Sequence, residues 1–289
     1  MEKWNLIVDV ALCENCNNCA LAAKDEHVGN DFPGYSAPHA ALGANVIRIH
    51  RRVRGGGSMV DAAYLPTMCN HCDNAPCLRA GAADGAVRKR SDGLVIIDPV
   101  KAKGRRDLVD ACPYGAIVWN EEQQLPQTWI FDAHLLDQGW QAPRCVQVCP
   151  THVFEAAKIT DEEMERRAQR EQLAVLQPEL GTRPRVYYRN LYRYTHCFVG
   201  GAVAASIDGV SECIENASVL LLRSGQVVAR GTTDSFGEFR FDGLPPNSGA
   251  YEVEITHADF EEARFQAVLG AASINLGELA LTPKHRKGL

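Results

Sequence analysis

Short apolar runs mark several strands in the first half of the chain. Residues 4–10, WNLIVDV, combine apolar and β-branched positions and predict a strand that leads into Cys13. Residues 44–53, ANVIRIHRRV, alternate imperfectly between apolar and polar positions and predict a second strand, which ends at the glycine turn RGGGS. Residues 94–97 predict another strand. Between residues 66 and 150, short helices and strands alternate with cysteine-bearing loops.

A charged helix and a segment rich in arginine and tyrosine follow. In residues 160–176, TDEEMERRAQREQLAVL, Thr160 and Glu163 match a capping box, which predicts an exposed helix that ends before Pro178. Residues 182–194, TRPRVYYRNLYRY, interleave arginines with tyrosines. Both residue types are favoured at protein interfaces, so this segment is either a docking surface or an extended tether that packs its tyrosines on its own domain.

The pattern changes again in residues 198–289, where short strands are separated by Gly, Pro, Asn and Asp turns. In YEVEI, Tyr251, Val253 and Ile255 share one face, as in a half-buried strand. About seven such strands predict an antiparallel sandwich. The run TTDSFGEFRFDGLP resembles the prealbumin-like and carboxypeptidase-regulatory β-domains, a resemblance that implies a fold and no chemistry.

These elements predict the α+β fold class, with two domains joined by a linker, as a length of 289 residues suggests. Residues 1–158 form the cysteine-bearing domain, in which one ferredoxin-like module is nested inside another. Residues 159–197 form a helix and an extended linker. Residues 198–289 form the β-sandwich.

Charge and hydropathy exclude two classes of partner. A net charge of −6 and a pI near 5.9 provide no basic footprint, so no nucleic-acid binding is expected. No apolar run approaches the length of a membrane span, and no membrane insertion is expected. The N-terminal residues MEKWNLIVDV lack a secretion signal, which predicts a cytoplasmic protein unless a partner carries the signal for both.

The cysteines indicate metal rather than disulfides. There are 11 of them, an odd number, and nine precede residue 150 in tight clusters. The stretch CENCNNCALAAK spaces three cysteines as a bacterial ferredoxin does, but Ala23 stands where the fourth is due. In two-cluster ferredoxins that fourth cysteine binds the neighbouring cluster, so the first [4Fe-4S] cube must take its last ligand from a distant Cys-Pro pair.

Nesting the shorter module inside the longer one gives two complete ligand sets. The first predicted cube is bound by Cys13, Cys16, Cys19 and Cys149. The second is bound by Cys69, Cys72, Cys77 and Cys112. A crosswise exchange of Cys112 and Cys149 stays open, but it would leave both modules incomplete.

Continuing the ferredoxin spacing after each triplet, and backwards from each Cys-Pro pair, gives two further sets of four positions. Most of these positions have lost their cysteine. The third set keeps one cysteine and consists of Ala23, Trp129, Asp132 and Cys145. The fourth keeps none and consists of Gly81, Ala102, Arg105 and Leu108. Asp132 and Cys145 are too few to hold a third cube without foreign ligands, and two cubes are therefore expected.

Three further questions concern the metal bound by the cysteines, the role of His71 and the two cysteines near the β-domain. Structural zinc also uses C-x2-C spacing, but its cysteines usually come as two doublets rather than a triplet plus a distant Cys-Pro. His71, between two predicted ligands, either donates a hydrogen bond to a cluster sulfur or simply packs. Cys197 and Cys213 are expected to be buried, unpaired core thiols.

The chain resembles a known family, the four-cluster iron-sulfur subunits of molybdopterin oxidoreductases of the dimethyl sulfoxide reductase class. The cysteine runs, CPYGAIVW and PRVYY carry the likeness over about residues 4–195. DPVKAKG, AHLLD, PELGTRPRVYYRNLYR and the trailing β-domain extend it to the small subunits of transhydroxylases and resorcinol-type hydroxylases. Those relatives have cysteines where this chain has Ala23, Trp129 and Asp132, which implies that the third cube is lost.

The resemblance implies an electron-transfer subunit without catalytic residues of its own. Its expected partner is a large catalytic subunit that holds a molybdenum or tungsten bis-pterin cofactor and acts on hydroxylated aromatics, and an external electron carrier is compatible with this arrangement. The alternative is a free-standing polyferredoxin-type carrier whose β-domain binds a redox partner. A stable heterodimer would distinguish the first function from the second.

Overall fold

The computed structural model describes residues 1–284 of the chain. The α-helices are α1 (Asn18–His27), α2 (Pro76–Gly81), α3 (Asp107–Asp110), α4 (Ala133–Asp137), α5 (Arg144–Val148), α6 (Asp161–Arg170) and α7 (Tyr192–Thr195). A 3-10 turn covers Pro178–Leu180. The first nine strands are β1 (Lys3–Asp9), β2 (Arg48–Gly56), β3 (Met59–Thr67), β4 (Val87–Lys89), β5 (Val95–Ile97), β6 (Val118–Asn120), β7 (Leu125–Gln127), β8 (Phe154–Ile159) and β9 (Val186–Arg189).

The later strands all belong to the C-terminal part of the chain. They are β10 (Cys197–Ile207), β11 (Val210–Cys213), β12 (Ser218–Arg223), β13 (Gln226–Thr232), β14 (Glu238–Leu244), β15 (Gly249–Thr256), β16 (Ala263–Leu269) and β17 (Ile274–Leu281). Two compact units divide the chain. Residues 1–51 and 64–191 form the first unit, and residues 52–63 together with the described residues from 192 onward form the second.

The first unit is organised around a three-stranded sheet in the order β8-β1-β9. Strand β1 pairs antiparallel with β8 and parallel with β9. Its residues Leu6, Ile7 and Val8 are almost completely buried, as the apolar run predicts. Because β9 lies in the segment predicted as a linker, part of that segment is a strand of this sheet, and Tyr188 on β9 packs inside the unit, fully buried.

Helix α6 begins as its sequence predicts. The Thr160 side chain accepts a hydrogen bond from the backbone N–H of Glu163, and the Glu163 carboxylate accepts one from the backbone N–H of Thr160. This reciprocal pair satisfies two N–H groups that the helix cannot bond internally. Met164 is the one residue of α6 that is buried, so the helix is exposed apart from that anchor.

Short elements of the first unit surround the cysteine loops. Strands β4 and β5 form a hairpin, and helices α2 and α3 pack beside it over an apolar cluster that includes Val87, Val95, Ile97 and Leu108. Two of the predicted ligands, Cys72 and Cys77, belong to the same cluster. The core of this region is therefore built around thiols rather than around aliphatic side chains alone.

The second unit contains the expected β-sandwich, with eight strands rather than about seven. One sheet has the order β11-β10-β14 with β17 on the other edge of β10, and the other has the order β13-β12-β15-β16. Their inner faces share an apolar core that includes Val219, Val253 and Phe241. Strands β10 and β17 pair in parallel, a departure from the antiparallel expectation, because β17 arrives from β16 in the opposite sheet and not through a hairpin.

No helix in the part of the chain that the structure describes is long and apolar enough to span a bilayer.

Candidate metal centres

The first quartet of thiols lies where β1 passes into α1. Cys13 and Cys16 are in the loop after β1, and Cys19 is on the first turn of α1. Cys149 comes from the end of α5, a helix that packs against α1. Burial raises the pKa of Cys13, and the neighbouring Cys149 and Cys16 thiolates raise it further. The structure thus brings these four cysteines together.

The loop of the first quartet is shaped by two asparagines. Asn15 and Asn17 adopt positive φ angles of 60° and 62°, in the left-handed region that asparagine tolerates better than other non-glycine residues. The Asn17 side-chain amide donates to the Asn15 carbonyl at 2.9 Å and fixes the curl of the loop. Because of this curl, Cys16 remains exposed while Cys19 is buried.

The second quartet lines one apolar cavity in the first unit. Cys69 and Cys72 come from the loop after β3, Cys77 from α2, and Cys112 from the residues after α3. The cavity is lined by Cys69, Asn70, Cys72, Ala75, Pro76, Cys77, Val95, Ile97, Cys112, Pro113, Tyr114, Ile117 and Thr128. Burial raises the pKa of Cys72 to about 11 and that of Cys77 to about 11.

Both Cys-Pro segments hold their sulfur in the same way. The backbone N–H of Ala116 donates to Cys112 Sγ at 3.4 Å, and the backbone N–H of Val153 donates to Cys149 Sγ at 3.3 Å. In each case the donor lies four residues after the cysteine. Hydrogen bonds to sulfur orient a ligand and stabilise its negative charge. The two segments therefore present their single cysteine with the same hydrogen-bonding geometry.

Neither quartet is closed around a single ion. Zinc with Zn–S bonds of about 2.3 Å would place tetrahedral sulfurs about 3.8 Å apart. Across residues 1–284, no group of three or more His, Cys, Asp or Glu side chains is positioned to hold one metal ion. A donor set of four thiols that is not closed around one ion suits an inorganic cluster, in which each cysteine binds a separate iron.

The four residues of the third set are all buried. Asp132 accepts a hydrogen bond from the backbone N–H of Arg144 at 2.7 Å, and burial raises the pKa of its carboxyl group. Burial raises the pKa of Cys145, and the charges of Asp132 and of Cys19 in the first quartet raise it further. Trp129 instead points into an aromatic group, with its ring 4.8 Å from Phe131. Ala23 presents only a methyl group, so the set brings together one thiol and one carboxylate.

Sequence reasoning missed a group of histidines beside this set. The rings of His27 and His39 stack at 4.6 Å, and His134 lies 5.5 Å from His27 in an edge orientation. His134 Nε2 is 2.9 Å from a carboxylate oxygen of Glu26. Burial lowers the pKa of His27 to about 3 and that of His39 to about 4, which keeps both neutral. They come from three distant segments and have no recognisable spacing.

Protein atoms fill the place of the fourth set. Ala102 and Leu108 are completely buried in the apolar cluster beside the second quartet. At Gly81 an added Cβ would lie 2.5 Å from the Val87 side chain, so not even a methyl group fits there. Arg105 is bound to Asp84 and Asp107 at the surface.

Three further expectations concern single side chains. His71 is buried between Trp129 and Phe131, and its Nδ1 accepts the backbone N–H of Val95 at 3.0 Å. Its Nε2 is buried without a hydrogen-bond partner among the described residues, so donation to a cluster sulfur and simple packing both stay predictions. An unprotonated Nδ1 has no hydrogen to donate to Cys69 Sγ, 3.9 Å away. Cys197 is buried as expected. The expectation for Cys213 was wrong: it is exposed, because every residue of the edge strand β11 faces solvent.

Two known families match the chain. Residues 60–159 match the family described as 4Fe-4S dicluster domain. Residues 199–279 match the family described as carboxypeptidase regulatory-like domain. These matches support an iron-sulfur domain followed by a prealbumin-like β-domain, as the sequence pattern predicts.

Curated relatives extend the likeness to the whole chain. The pyrogallol hydroxytransferase small subunit of Pelobacter acidigallici is 44% identical over 97% of this chain and 100% of the relative. A subunit of the tetrathionate reductase of Salmonella typhimurium is 30% identical over 65% of this chain and 73% of the relative. The arsenate respiratory reductase iron-sulfur subunit of a Shewanella species is 26% identical over 64% and 95%. The chain therefore belongs to the iron-sulfur subunits of the dimethyl sulfoxide reductase class, in the family of the pyrogallol hydroxytransferase small subunit.

Proposed function

We propose that the chain is an electron-transfer subunit that holds two [4Fe-4S] cubes. Cys13, Cys16, Cys19 and Cys149 bind the first, and Cys69, Cys72, Cys77 and Cys112 bind the second. The observation that carries this proposal is the cavity whose wall contains all four cysteines of the second set. The mutual proximity of the first four thiols and the matching N–H donors at Cys112 and Cys149 support the same assignment.

Each cube would accept and release one electron at a time, and the protein controls where and how readily this happens. Around the second quartet, Val95, Ile97 and Ile117 exclude water from the cavity. Lys89 donates to the carbonyls of His71 and Cys72, at 3.0 and 2.8 Å, and its ammonium group is paired with the Asp73 carboxylate at 2.9 Å.

The first quartet is the exchange point with a partner in this proposal. Cys16 is exposed, and two apolar side chains next to the quartet, Leu12 and Leu21, are 44% and 60% exposed. Exposed apolar side chains around a redox site suit a protein interface. The second quartet is more enclosed, since none of its four cysteines is exposed.

The partner is a large catalytic subunit with a molybdenum or tungsten bis-pterin cofactor, and the substrate class is a hydroxylated aromatic. The likeness to the pyrogallol hydroxytransferase small subunit, which spans 97% of the chain, supports this choice. The other relatives belong to reductases of tetrathionate and arsenate, so the electron-transfer role is broader than any one substrate. No disulfide bond joins any of the 11 cysteines, and we propose the cytoplasm, a reducing compartment, as the location of the chain.

Anaerobic co-purification tests the partner assignment. The tagged chain, co-expressed with its large subunit, is expected to elute as a heterodimer of equal stoichiometry. Leu21→Asp should weaken retention of the large subunit at least tenfold, because it places a charge in the apolar patch beside Cys19. Val100→Asp is the matched control, since Val100 is also an exposed apolar side chain, 81% exposed, and does not line the cavity of the second quartet.

A chain that elutes alone with its clusters, whatever the partner's abundance, would overturn the heterodimer in favour of a free-standing electron carrier. Equal loss of retention in the two aspartate variants would contradict docking through the first quartet.

A further inference from the structure

Asn70 is a buried amide without a partner. It lies between Cys69 and His71 and is 2% exposed. Neither its Oδ1 nor its Nδ2 has a hydrogen-bond partner among the described residues. Nearly all buried polar side-chain atoms in folded proteins are hydrogen-bonded, so an amide with both ends unpaired needs a specific reason. The group that satisfies it must be one that protein atoms do not supply.

Asn70 lines the cavity of the second quartet, and it also lines a neighbouring pocket beside Met68 and Gln177. Two other polar side chains line this cavity, and both have partners: Thr128 Oγ1 donates to the Ala116 carbonyl at 2.8 Å, and the Tyr114 hydroxyl is 2.5 Å from Thr182 Oγ1. The Asn70 backbone is held from outside the loop, since its carbonyl accepts the backbone N–H of Arg185 at 2.8 Å. Asn70 is therefore a fixed amide at the wall of the cluster cavity.

We infer that the Asn70 side-chain amide donates a hydrogen bond to a sulfur of the second cube. This inference rests on the proposed function, because it requires the cube bound by Cys69, Cys72, Cys77 and Cys112. The inorganic sulfides and the cysteine sulfurs carry negative charge and can only accept. The NH₂ end of the amide faces them for that reason, and the carbonyl end turns away.

The bond would raise the reduction potential of the second cube alone. Reduction adds one electron, which makes the sulfurs more negative and the hydrogen bond stronger, so the donor stabilises the reduced form more than the oxidised form. At the matching position of the first quartet, after Cys13, the chain has the exposed Glu14, which has no amide to donate. Backbone N–H donors occur at both quartets, so the side-chain amide of Asn70 is the difference between them that the test addresses.

The test is a redox titration of the anaerobic complex, followed by electron paramagnetic resonance, with Asn70→Leu beside the wild type. Leucine keeps the shape of asparagine and removes the donor. We expect the iron content to stay at the wild-type value and the second cube to become about tenfold harder to reduce, a shift of 59 mV for one electron. The first cube should titrate as before.

Asn74→Leu is the matched control, since Asn74 lies in the same loop but is exposed, with its amide bonded to the Gly181 carbonyl at 3.1 Å. Its potentials should equal those of the wild type. If Asn70→Leu keeps its iron and neither potential moves, the inference is overturned. If the wild type itself lacks a second cube, the proposed function fails instead.

A measurement on the wild type covers the case in which Asn70→Leu loses iron. With asparagine labelled by ¹⁵N in the side chain, double-resonance spectra of the reduced second cube should show coupling to one amide nitrogen. Absence of that coupling would overturn the inference without any variant.

Discussion

Cys145 and Cys149 are separated by one turn of chain and have different surroundings. Cys149 Sγ accepts the backbone N–H of Val153 and lies beside Cys13. Cys145 is buried on α5 next to Asp132, and burial raises its pKa well above the ordinary value. A thiol in this position remains protonated, and it has the single carboxylate of Asp132 to help it hold iron. The two residues therefore provide a contrast between a proposed ligand and a remnant of a lost site.

Cys149→Ala should remove one cube, four irons per chain, because the first set keeps three thiols. Cys145→Ala should leave the iron and sulfide content unchanged and lower stability by about 1 to 2 kcal/mol through a small cavity. Iron and sulfide analysis of both anaerobically purified variants checks this. Loss of iron in Cys145→Ala would show that the third set still holds a cluster.

How much of the site the sequence predicts depends on whether the residues are close in sequence. The two cysteine triplets can be predicted because their spacing is local and chemically specific. The two distant ligands can be predicted because each is followed by proline, as the last cysteine of a ferredoxin run is. The role of Asn70 depends on the absence of hydrogen-bond partners around its side-chain amide among the described residues. The sequence spacing of the cysteines cannot predict that absence. The histidines at 27, 39 and 134 meet only because α1, the segment after it and α4 fold onto each other.

At the scale of elements, helix α6 is stabilised at its start by a local device. The Thr160 side chain and the Glu163 carboxylate each satisfy one backbone N–H of the other. Thr160→Ala should lower the free energy of unfolding of the first unit by about 1 kcal/mol, with unchanged iron content. Glu165→Ala, at an exposed mid-helix position, is the control and should change it by a few tenths.

Urea titration of the three proteins, followed through the near-ultraviolet signal of the first unit, measures the difference. Equal stability of Thr160→Ala and Glu165→Ala would mean that the capping bonds contribute nothing to the free energy of unfolding in solution.

Elements that depend on local pattern were predicted, and pairings between distant segments were not. The strands near residues 4–10 and 94–97, the start of the capped helix and the strand containing YEVEI all appear close to their predicted positions. The predicted end of that helix, before Pro178, was wrong: α6 ends at Arg170, and Gln172 has a positive φ of 52°. The parallel pairing of β1 with β9 joins segments about 180 residues apart in sequence, from Leu6 to Val186. Nothing in the Arg/Tyr-rich segment specifies β1 as its partner, because tyrosines suit an interface and a sheet equally.

At the scale of the whole molecule, the two units owe their stability to different sources. The second unit has an all-protein core between two four-stranded sheets. The first unit has small sheets and short helices around the two groups of cysteines. In such a unit, binding of the metal cluster contributes directly to the free energy of folding.

Removal of iron by an anaerobic chelator should therefore affect the units unequally. Calorimetry of the intact chain should show two transitions, of which the one for the first unit is lost or moves down by more than about 10 °C, on the order of the shift that loss of a few kcal/mol produces. The transition of the second unit should stay in place. Loss of both transitions together would contradict separate sources of stability.

The most direct test is elemental and sulfide analysis of the intact complex purified without oxygen. Two [4Fe-4S] cubes require eight irons and eight sulfides per copy of this chain, and the partner should add about one molybdenum or tungsten. A colourless protein that contains zinc would contradict the assignment of iron-sulfur cubes to the two quartets. Twelve irons per chain would contradict the loss of the third cube.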